Sequence, residues 1–262
     1  MSAPTTPRTF LTVDGLQVAH AVFGDDGAPV LALHGWGASV DLIAPLASRL
    51  ANKGLRVYAP DLPGFGQTPP PPSAWGVLDY ANFVLRYLDA NELEKVHLFG
   101  HSFGGRLSLI LGAEHAARIH KIVLADSAGV PPRRDPLADA RLRLYKGVRD
   151  GLKGVGLSGL SEQLRGWYNQ QYGSADFKSA GVLRDTFVKV VNENLLPYAA
   201  RISAPTLLIW GEDDQDTPLW QGQQLEKTIP DAGLVVYENA GHYSYLDKLP
   251  EVIRTLEYFY TS

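Results

Sequence analysis

The sequence predicts an α/β protein with a mostly parallel central sheet of about eight strands, flanked by helices. Short apolar runs of four or five residues, the length of buried strands, recur along most of the chain. Segments with apolar residues at helical spacing separate these runs, and this alternation requires parallel strands joined by right-handed crossovers. Polar residues recur directly after the runs, as expected at the carboxyl edge of such a sheet, where ligands bind.

The chain begins with a predicted antiparallel hairpin. Residues 10–13 and 17–23 are expected to pair, because the strong turn pair Asp14-Gly15 lies between them. The parallel strands that follow are expected at residues 30–33, 55–58, 96–99, 122–125, 206–210 and 234–237. The helical patterns that accompany them lie at about 39–53, 75–90, 103–117, 218–229 and 246–260.

The alternation of strand and helix stops between the fourth and fifth parallel strands. Residues 131–199 begin with a proline-rich stretch and continue with helical patterns, such as 137–148 and 182–192, without a convincing strand. We therefore predict a helical cap over residues 131–199, inserted into an α/β core of residues 1–130 and 200–262.

The predicted cap differs in charge from the rest of the chain. Residues 133–201 hold twelve Lys and Arg against seven Asp and Glu, although the whole chain has a net charge of −4. This excess has two interpretations. The helices present an ordinary solvated surface, or the positive charge attracts an anionic substrate or an acidic carrier protein.

Composition excludes several classes of protein. A net charge of −4 gives no electrostatic signature of nucleic-acid binding, so no nucleic acid is expected as a partner. The absence of cysteine excludes disulfides, thiolate metal sites and cysteine nucleophiles. The N-terminal residues lack the apolar region of a secretory signal, and no apolar run approaches the length of a membrane span. The sequence therefore predicts a cytoplasmic protein with no membrane association.

A nucleophile motif, Gly100-His101-Ser102-Phe103-Gly104, follows the third parallel strand and precedes a helix. A serine on a sharp strand-to-helix turn needs small residues two positions before and after it, and both positions are glycine. The helix N-terminus places backbone N–H groups beside the serine, where negative charge develops during acyl transfer. Ser102 is the predicted nucleophile.

The base and the acid of an acyl-transfer site are expected after later strands. Acyl transfer needs a base that takes the serine proton and an acid that orients the base. His242 follows the sixth parallel strand and Asp214 follows the fifth, which gives the chain order Ser, Asp, His. Asp213 and Asp216 are neighbours that could be confused with the acid. Asp126, after the fourth strand, is a competing acid, and its alternative role is that of a turn residue.

These motifs together make the chain resemble the α/β-hydrolase fold in its single-domain, capped form. The family pattern G-x-x-D-x-x-x-P falls on Gly211, Asp214 and Pro218. The family's G-H pair near the C-terminus falls on Gly241-His242. The similarity covers nearly the whole chain, although the cap agrees only in length and helical character. The resemblance implies that Asp214 is the acid of a catalytic triad and that His242 is its base.

The resemblance also implies an oxyanion hole made of two backbone N–H groups. One is the N–H of Phe103, the residue after the nucleophile. The other comes from the loop after the first parallel strand, where the family's H-G-x motif falls on His34-Gly35-Trp36 and makes Trp36 the donor. His34 is expected to brace this loop without transferring a proton.

Neither a metal nor another cofactor is expected. No pair of histidines has a spacing typical of metal ligands. The acidic residues near 212–216 lack the spaced loop of a calcium site. His101 is common beside the nucleophile in the family and is expected to have no direct role.

The motifs and the resemblance predict a carboxylesterase-like serine hydrolase that cleaves a small or medium carboxylic ester through an acyl-enzyme. A serine nucleophile disfavours the haloalkane dehalogenases and epoxide hydrolases of this fold, which use aspartate. Carbon–carbon bond hydrolases, cofactor-free perhydrolases and hydroxynitrile lyases of the fold use serine, so they remain alternatives. A non-catalytic ligand receptor that keeps the triad is an alternative of another class.

A narrower resemblance concerns carrier-linked substrates. Residues 34–37 and 61–66 are similar to the corresponding loops of pimeloyl-carrier-protein methyl ester esterases, which meet an acidic carrier through a basic cap. The cap arginines available for such a contact are Arg133, Arg134, Arg141 and Arg143.

The sequence assigns no substrate-binding residue and no oligomeric state. Aromatic residues of the predicted cap could line a pocket, but we expect them to form the core of the cap itself. These aromatic residues are Tyr145, Trp167, Tyr168 and Phe177.

Overall fold

A single large sheet organises the computed structural model, which describes residues 6–133, 136–172, 178, 180–191 and 193–262. The strands are β1 (Thr9–Val13), β2 (Leu16–Phe23), β3 (Ala28–Leu33), β4 (Leu55–Pro60), β5 (Val96–His101), β6 (Ile119–Ala125), β7 (Thr206–Gly211) and β8 (Ala232–Tyr237). Across the described ranges these eight strands lie in the order β1-β2-β4-β3-β5-β6-β7-β8. β2 is antiparallel to β1 and β4, and all other neighbours are parallel. The predicted mostly parallel sheet is confirmed.

Helices join the strands and cover both faces of the sheet. They are α1 (Val40–Ala51), α2 (Val77–Ala90), α3 (Phe103–Glu114), α4 (Pro136–Gly154), α5 (Ser158–Tyr172), α6 (Arg184–Val191), α7 (Leu196–Ala199), α8 (Trp220–Thr228), α9 (Ser244–Asp247) and α10 (Leu249–Thr261). Short 3₁₀ turns follow α3 and precede α6. α1 and α10 pack on one face of the sheet, while α2, α3 and α8 pack on the other.

The central strands are buried because helices cover both faces, which explains their continuous apolar sequences. Side chains alternate between the two faces along each strand. In β3, Leu31 and Leu33 join the core under α2 and α3, whereas Val30 and Ala32 join the core under α1 and α10. The short apolar runs of the sequence therefore correspond to strands that separate two hydrophobic cores.

The last helical pattern of the sequence, expected at 246–260, is divided in the structure. α9 ends at Asp247, and α10 begins at Leu249. Pro250 lies in the first turn of α10, a position where its missing N–H costs no helical hydrogen bond. In the interior of a continuous helix the same proline ring would collide with the preceding turn, so the helix is interrupted.

The segment between β6 and β7 contributes helices α4, α5, α6 and α7, and its described residues contain no strand. Tyr145 of α4 and Tyr168 of α5 stack with ring centroids 3.9 Å apart, so these two rings join the helices to each other. Trp167 is half-exposed, whereas Arg134 and Phe177 lie outside the described residues. The division into a core and a cap remains a prediction.

Within the described ranges, no helix is both long enough and apolar enough to cross a bilayer.

α3 approaches the sheet closely at its first turn, and two glycines permit this approach. The Gly104 N–H donates to the His34 carbonyl over 3.1 Å. A Cβ on Gly104 would collide with the Leu33 carbonyl, and a Cβ on Gly100 would lie 2.6 Å from the Gly104 carbonyl oxygen. The predicted need for small residues around Ser102 therefore has a steric cause.

Substitution of Gly104 by Ala should lower the free energy of unfolding by about 1–3 kcal/mol, because the new methyl group overpacks the contact with β3. Gly147 in α4 provides a matched helical control, since a Cβ there meets nothing within 4 Å. Gly147→Ala should keep or raise stability by up to about 1 kcal/mol. Equilibrium urea unfolding measures both values, and equal effects of the two substitutions would contradict the steric explanation.

Candidate active site

The candidate site is a cavity of about 430 Å³ at the carboxyl edge of the parallel strands. Ser102 follows β5, His242 follows β8, and Trp36 follows β3, and all three line this cavity. Parallel strands bring the loops at their carboxyl ends to one edge of the sheet. The predicted nucleophile, base and oxyanion donors are therefore brought together, although they are far apart in sequence.

Ser102 occupies a strained turn between β5 and α3. Its φ of 50° and ψ of −106° lie in a region that a non-glycine residue rarely adopts. Two contacts hold the turn: the Ser102 N–H donates to the Ala125 carbonyl, and the Ser102 carbonyl accepts from the Ala128 N–H, each over 3.1 Å. Backbone strain that surrounding hydrogen bonds maintain is typical of functional positions.

Asp214 and His242 form a direct contact. His242 Nδ1 lies 2.9 Å from Asp214 Oδ2. The other carboxylate oxygen of Asp214 accepts from the backbone N–H groups of Asp216 and Thr217, over 2.8 and 2.9 Å. Because the carboxylate only accepts, Nδ1 carries the proton, and Nε2 of His242 remains as the acceptor for a serine proton.

The surroundings of Asp214 and His242 shift the pKa values of both groups in the directions that favour their pairing. Burial alone would raise the pKa of Asp214, but hydrogen bonds from His242 and Thr217 and the charge of His242 hold it below its ordinary value. Burial alone would lower the pKa of His242, but the hydrogen bond and charge of Asp214 raise it overall. The carboxylates of Asp126 and Asp216 act in the same direction on His242. The acid thus stays ionised, and the base is more readily protonated.

The loop after β3 lies against the nucleophile, as an oxyanion hole requires. A Cβ on Gly35 would lie 3.3 Å from the Ser102 Cβ, so the backbone of this loop passes directly beside the serine. Trp36 and Phe103 both line the cavity. In the part of the chain that the structure describes, neither of their backbone N–H groups donates to a protein acceptor. Both N–H groups are therefore available to an oxyanion.

His34 connects two loops and lies buried beneath them. Its Nε2 accepts from the Leu62 N–H over 3.0 Å, which leaves the proton on Nδ1, 2.7 Å from the Gly35 carbonyl. Burial lowers the pKa of His34, so the ring is neutral. These contacts are those of a residue that braces the loop, as the sequence predicts.

Asp126, the competing acid, makes no hydrogen bond to His242 within the described residues. Its Oδ1 accepts from the Gly211 N–H over 2.8 Å, and its Oδ2 accepts from the Ser244 hydroxyl over 2.6 Å. Asp126 therefore links the end of β7, which leads to Asp214, to the segment that follows His242. The geometry favours Asp214 as the acid.

Two polar side chains contact the candidate acid and base: Thr217, which sequence reasoning missed, and His101, for which it predicted no direct role. The Thr217 hydroxyl lies 2.7 Å from Asp214 Oδ2 and 3.3 Å from His242 Nδ1. His101 Nε2 lies 2.7 Å from the His242 carbonyl oxygen, and burial lowers the pKa of His101 to about 3, so it is a neutral donor. Thr217 follows Asp214 by three residues, and this short spacing is the signal that could have identified it.

Asp214, Asp216 and His242 also bring three potential metal ligands within 4.8 Å of one another. This cluster consists of the hydrogen-bonded acid–base pair and one neighbouring carboxylate. The pairing of Asp214 with His242 accounts for the cluster without an ion, and the absence of a metal cofactor remains a prediction.

Comparisons with known proteins agree with this architecture. The model of the alpha/beta hydrolase family matches residues 30–255. A 2-hydroxy-6-oxononadienedioate/2-hydroxy-6-oxononatrienedioate hydrolase of Cupriavidus pinatubonensis is 29% identical over 259 residues, covering 90% of this chain and 89% of that protein. The dihydrolipoyllysine-residue acetyltransferase component of the acetoin cleaving system of Cupriavidus necator is 27% identical, and the match covers 91% of this chain but 65% of that longer protein.

A solved structure gives the same result for the fold. The esterase of Exiguobacterium antarcticum matches with a TM-score of 0.74 at 24% identity, covering 97% of this chain and 99% of the esterase. Every part of the sheet that positions the candidate site therefore has a counterpart in a known architecture.

Substitution of Asp126 by Asn tests the ionisation of this buried group. Burial raises the pKa of Asp126 to about 7. Between about pH 4 and pH 7 the folded state therefore holds a proton that the unfolded chain has lost, so stability from this group falls as pH rises. The slope for one group cannot exceed about 1.4 kcal/mol per pH unit.

The Asp126→Asn variant lacks this carboxyl group, so its stability has no contribution from this titration. The free energy of unfolding of the wild type minus that of the variant should therefore fall across this pH range, as urea unfolding at several pH values would measure. A difference that is independent of pH would contradict the raised pKa.

Proposed function

The chain belongs to the alpha/beta hydrolase family, and from this premise we propose that it is a serine hydrolase that cleaves a carboxylic ester. The observation that carries the proposal is the 2.9 Å contact between His242 Nδ1 and Asp214 Oδ2, beside a cavity that Ser102 also lines. A nucleophile, a base and an orienting acid in this arrangement can perform acyl transfer.

In the proposed first step, His242 Nε2 takes the Ser102 proton as Ser102 Oγ attacks the ester carbonyl. The carbonyl oxygen becomes an oxyanion, which the N–H groups of Trp36 and Phe103 stabilise. Asp214 fixes the Nδ1 tautomer of His242 and stabilises the imidazolium that forms. The imidazolium then protonates the departing alcohol, and an acyl-enzyme on Ser102 remains.

In the proposed second step, His242 takes a proton from water, and the resulting hydroxide attacks the acyl-enzyme carbonyl. The same two N–H groups hold the second oxyanion. The collapse of this intermediate breaks the bond to Ser102 Oγ, which regains a proton from His242. A carboxylic acid is released, and the site returns to its starting state.

The inserted segment of residues 131–199 supports the cap proposal because it contributes to the cavity wall. Phe187, Val190 and Val191 of α6 line the cavity opposite the core residues. Phe187 packs against Trp36 with ring centroids 5.1 Å apart. A cavity of about 430 Å³ with these apolar walls fits a small or medium acyl group. Residues 1–130 and 200–262 would then form the core that holds the chemistry.

A second candidate function is the hydrolysis of a carbon–carbon bond. The observation that favours it is the 29% identity to a hydrolase whose name specifies an oxo-dienedioate substrate. The same nucleophile motif and the same acid–base pair would serve that chemistry, so the substrate assay must separate the two candidates.

Substitution of Ser102 by Ala should lower kcat for p-nitrophenyl esters, tested from acetate to palmitate, by about 10³-fold or more. Ser108→Ala is the control, because Ser108 is a buried serine of the helix that follows Ser102, and its hydroxyl donates to the Gly104 carbonyl over 2.9 Å. The control should keep kcat within a few-fold. If the wild type hydrolyses none of these esters but cleaves a 2-hydroxy-6-oxo-dienoate, the second candidate replaces the first.

Substitution of Asp214 by Asn should lower kcat/KM by about 10³–10⁴-fold, because the base loses its orienting acid. Asp214 raises the pKa of His242, so its loss should also move the acid limb of the kcat/KM profile to lower pH. Asp213, an exposed neighbour, provides the control, and Asp213→Asn should change neither quantity. If the acid limb of the Asp214→Asn profile does not move, Asp214 is not the acid that acts on His242.

A further inference from the structure

A buried arginine lines the same cavity as the candidate nucleophile. Arg106 lies in α3, one helical turn after Ser102, and only 7% of its surface is exposed. Arg106 is one of the residues that line the cavity, together with Ser102 and His242. The esterase mechanism proposed above makes no use of this residue.

The guanidinium of Arg106 contacts backbone carbonyls rather than carboxylates. Nη1 donates to the Glu193 carbonyl over 3.1 Å, and Nη2 donates to the Val191 carbonyl over 3.3 Å. A guanidinium has five N–H donors, so these two contacts do not exhaust its capacity. Burial lowers the pKa of Arg106 to about 10, which still leaves it charged at neutral pH.

Nothing in the described part of the chain pairs this charge with an anion within 4.0 Å. Arg8 differs in this respect: its side chain is 2% exposed, and it contacts the carboxylates of Asp41 and Asp61 at 2.9 Å. The carboxylate of Glu193 faces the N-terminus of α2 instead, where it accepts from the backbone of Val77. The charge of Glu193 still raises the pKa of Arg106, so Arg106 is a buried cation with a neighbouring carboxylate but no direct ion pair.

Such a cation is costly unless something balances it. The other charged groups of the cavity, Asp216 and His242, belong to the loops around the candidate acid and base. Asp216 is exposed to solvent and acts on His242. The cavity is therefore lined on the side of α3 by a positive residue that has no direct ion pair. Charge-assisted hydrogen bonds to carboxylates are among the strongest that a guanidinium forms.

We propose that Arg106 is an anion subsite of the cavity and that the natural substrate carries a carboxylate in addition to the carbonyl that Ser102 attacks. Because this inference rests on the proposed hydrolase function, its test includes a binding measurement that does not depend on turnover. The competing explanation is that Arg106 only holds the end of α6 against α3 through the two carbonyls.

The first experiment compares esters that differ by one carboxylate. One pair places it on the acyl side, as p-nitrophenyl hydrogen glutarate against p-nitrophenyl pentanoate. The other pair places it on the alcohol side, as 4-acetoxybenzoate against 4-methylphenyl acetate. The carboxylate preference is the ratio of kcat/KM values within a pair, so the intrinsic reactivities cancel when the ratio is compared between variants.

Arg106→Gln should lower this preference by about tenfold or more in at least one pair, the loss expected for one charge-assisted hydrogen bond. Arg106→Lys keeps the charge and should retain part of the preference. Arg118→Gln is the control, because Arg118 also donates to two backbone carbonyls, those of Leu93 and Glu94, but pairs with Asp89 and does not line the cavity. The carboxylate preference of Arg118→Gln should equal that of the wild type.

An equal loss of activity on the charged and neutral esters in Arg106→Gln would overturn the proposal, since it is the result expected of a purely structural contact. If Arg106→Gln does not fold, the salt dependence of the wild-type preference and the Arg106→Lys variant provide the answer. The proposal is supported if the wild-type preference falls at high salt and Arg106→Lys retains part of it. A preference that does not depend on salt, together with no preference in Arg106→Lys, would overturn the proposal.

Binding separates this inference from the proposed function. Glutarate should raise the thermal midpoint of the wild type and of Arg118→Gln, because a ligand that binds only the folded state stabilises it. The rise should be lost in Arg106→Gln. Loss of the rise without any ester hydrolysis by the wild type would support the subsite and reject the esterase. An equal rise in all three proteins would reject the subsite alone.

Discussion

The close approach of α3 to β3 is the constraint on which the rest of the site depends. Gly104 allows the first turn of α3 to lie against the Leu33 carbonyl, directly after Ser102, whose φ is 50°. The same approach places the Phe103 N–H at the helix N-terminus, beside the loop that carries Trp36. One steric condition thus positions the nucleophile and both candidate oxyanion donors, since a side chain at Gly104 would displace all of them together.

Buried acceptors position the remaining two groups. The loops that carry Asp214 and His242 follow different strands, and two side chains connect them. Asp126 accepts from Gly211 on one side and from Ser244 on the other, and the Thr217 hydroxyl lies within 2.7 Å of the Asp214 carboxylate. A carboxylate that accepts several N–H and O–H groups can fix irregular backbone that no ladder hydrogen bond holds. The precision of the acid–base contact therefore depends on polar groups outside the pair itself.

The elements that the sequence predicted are those that local pattern determines. The parallel strands and the helices packed against them appear near the expected positions, because burial of both sheet faces imposes a continuous apolar run. Ser102 is predicted from its motif, and Asp214 and His242 are predicted from chain order together with the resemblance to the family's patterns. Asp126 and His101 could not be assigned their contacts, because these join residues that are 85 to 141 positions apart. Arg106 had one local signal, a positive charge among the apolar residues in the first half of α3.

The groups proposed to carry out the reaction and the groups proposed to recognise the substrate lie in different parts of the structure. The candidate triad and oxyanion donors belong to the sheet edge, and the chain is similar in sequence to proteins that are named for different reactions. A fold of this kind does not determine the substrate, so the substrate must be recognised by the groups around the reacting atoms. Arg106 connects these two parts, because it belongs to the nucleophile helix and donates to carbonyls at the end of α6. A shift of α6 would change the apolar wall and the position of the guanidinium together, while the contact between Asp214 and His242 would remain. Substrate recognition can therefore change through the inserted segment without disturbing the chemistry at the sheet edge.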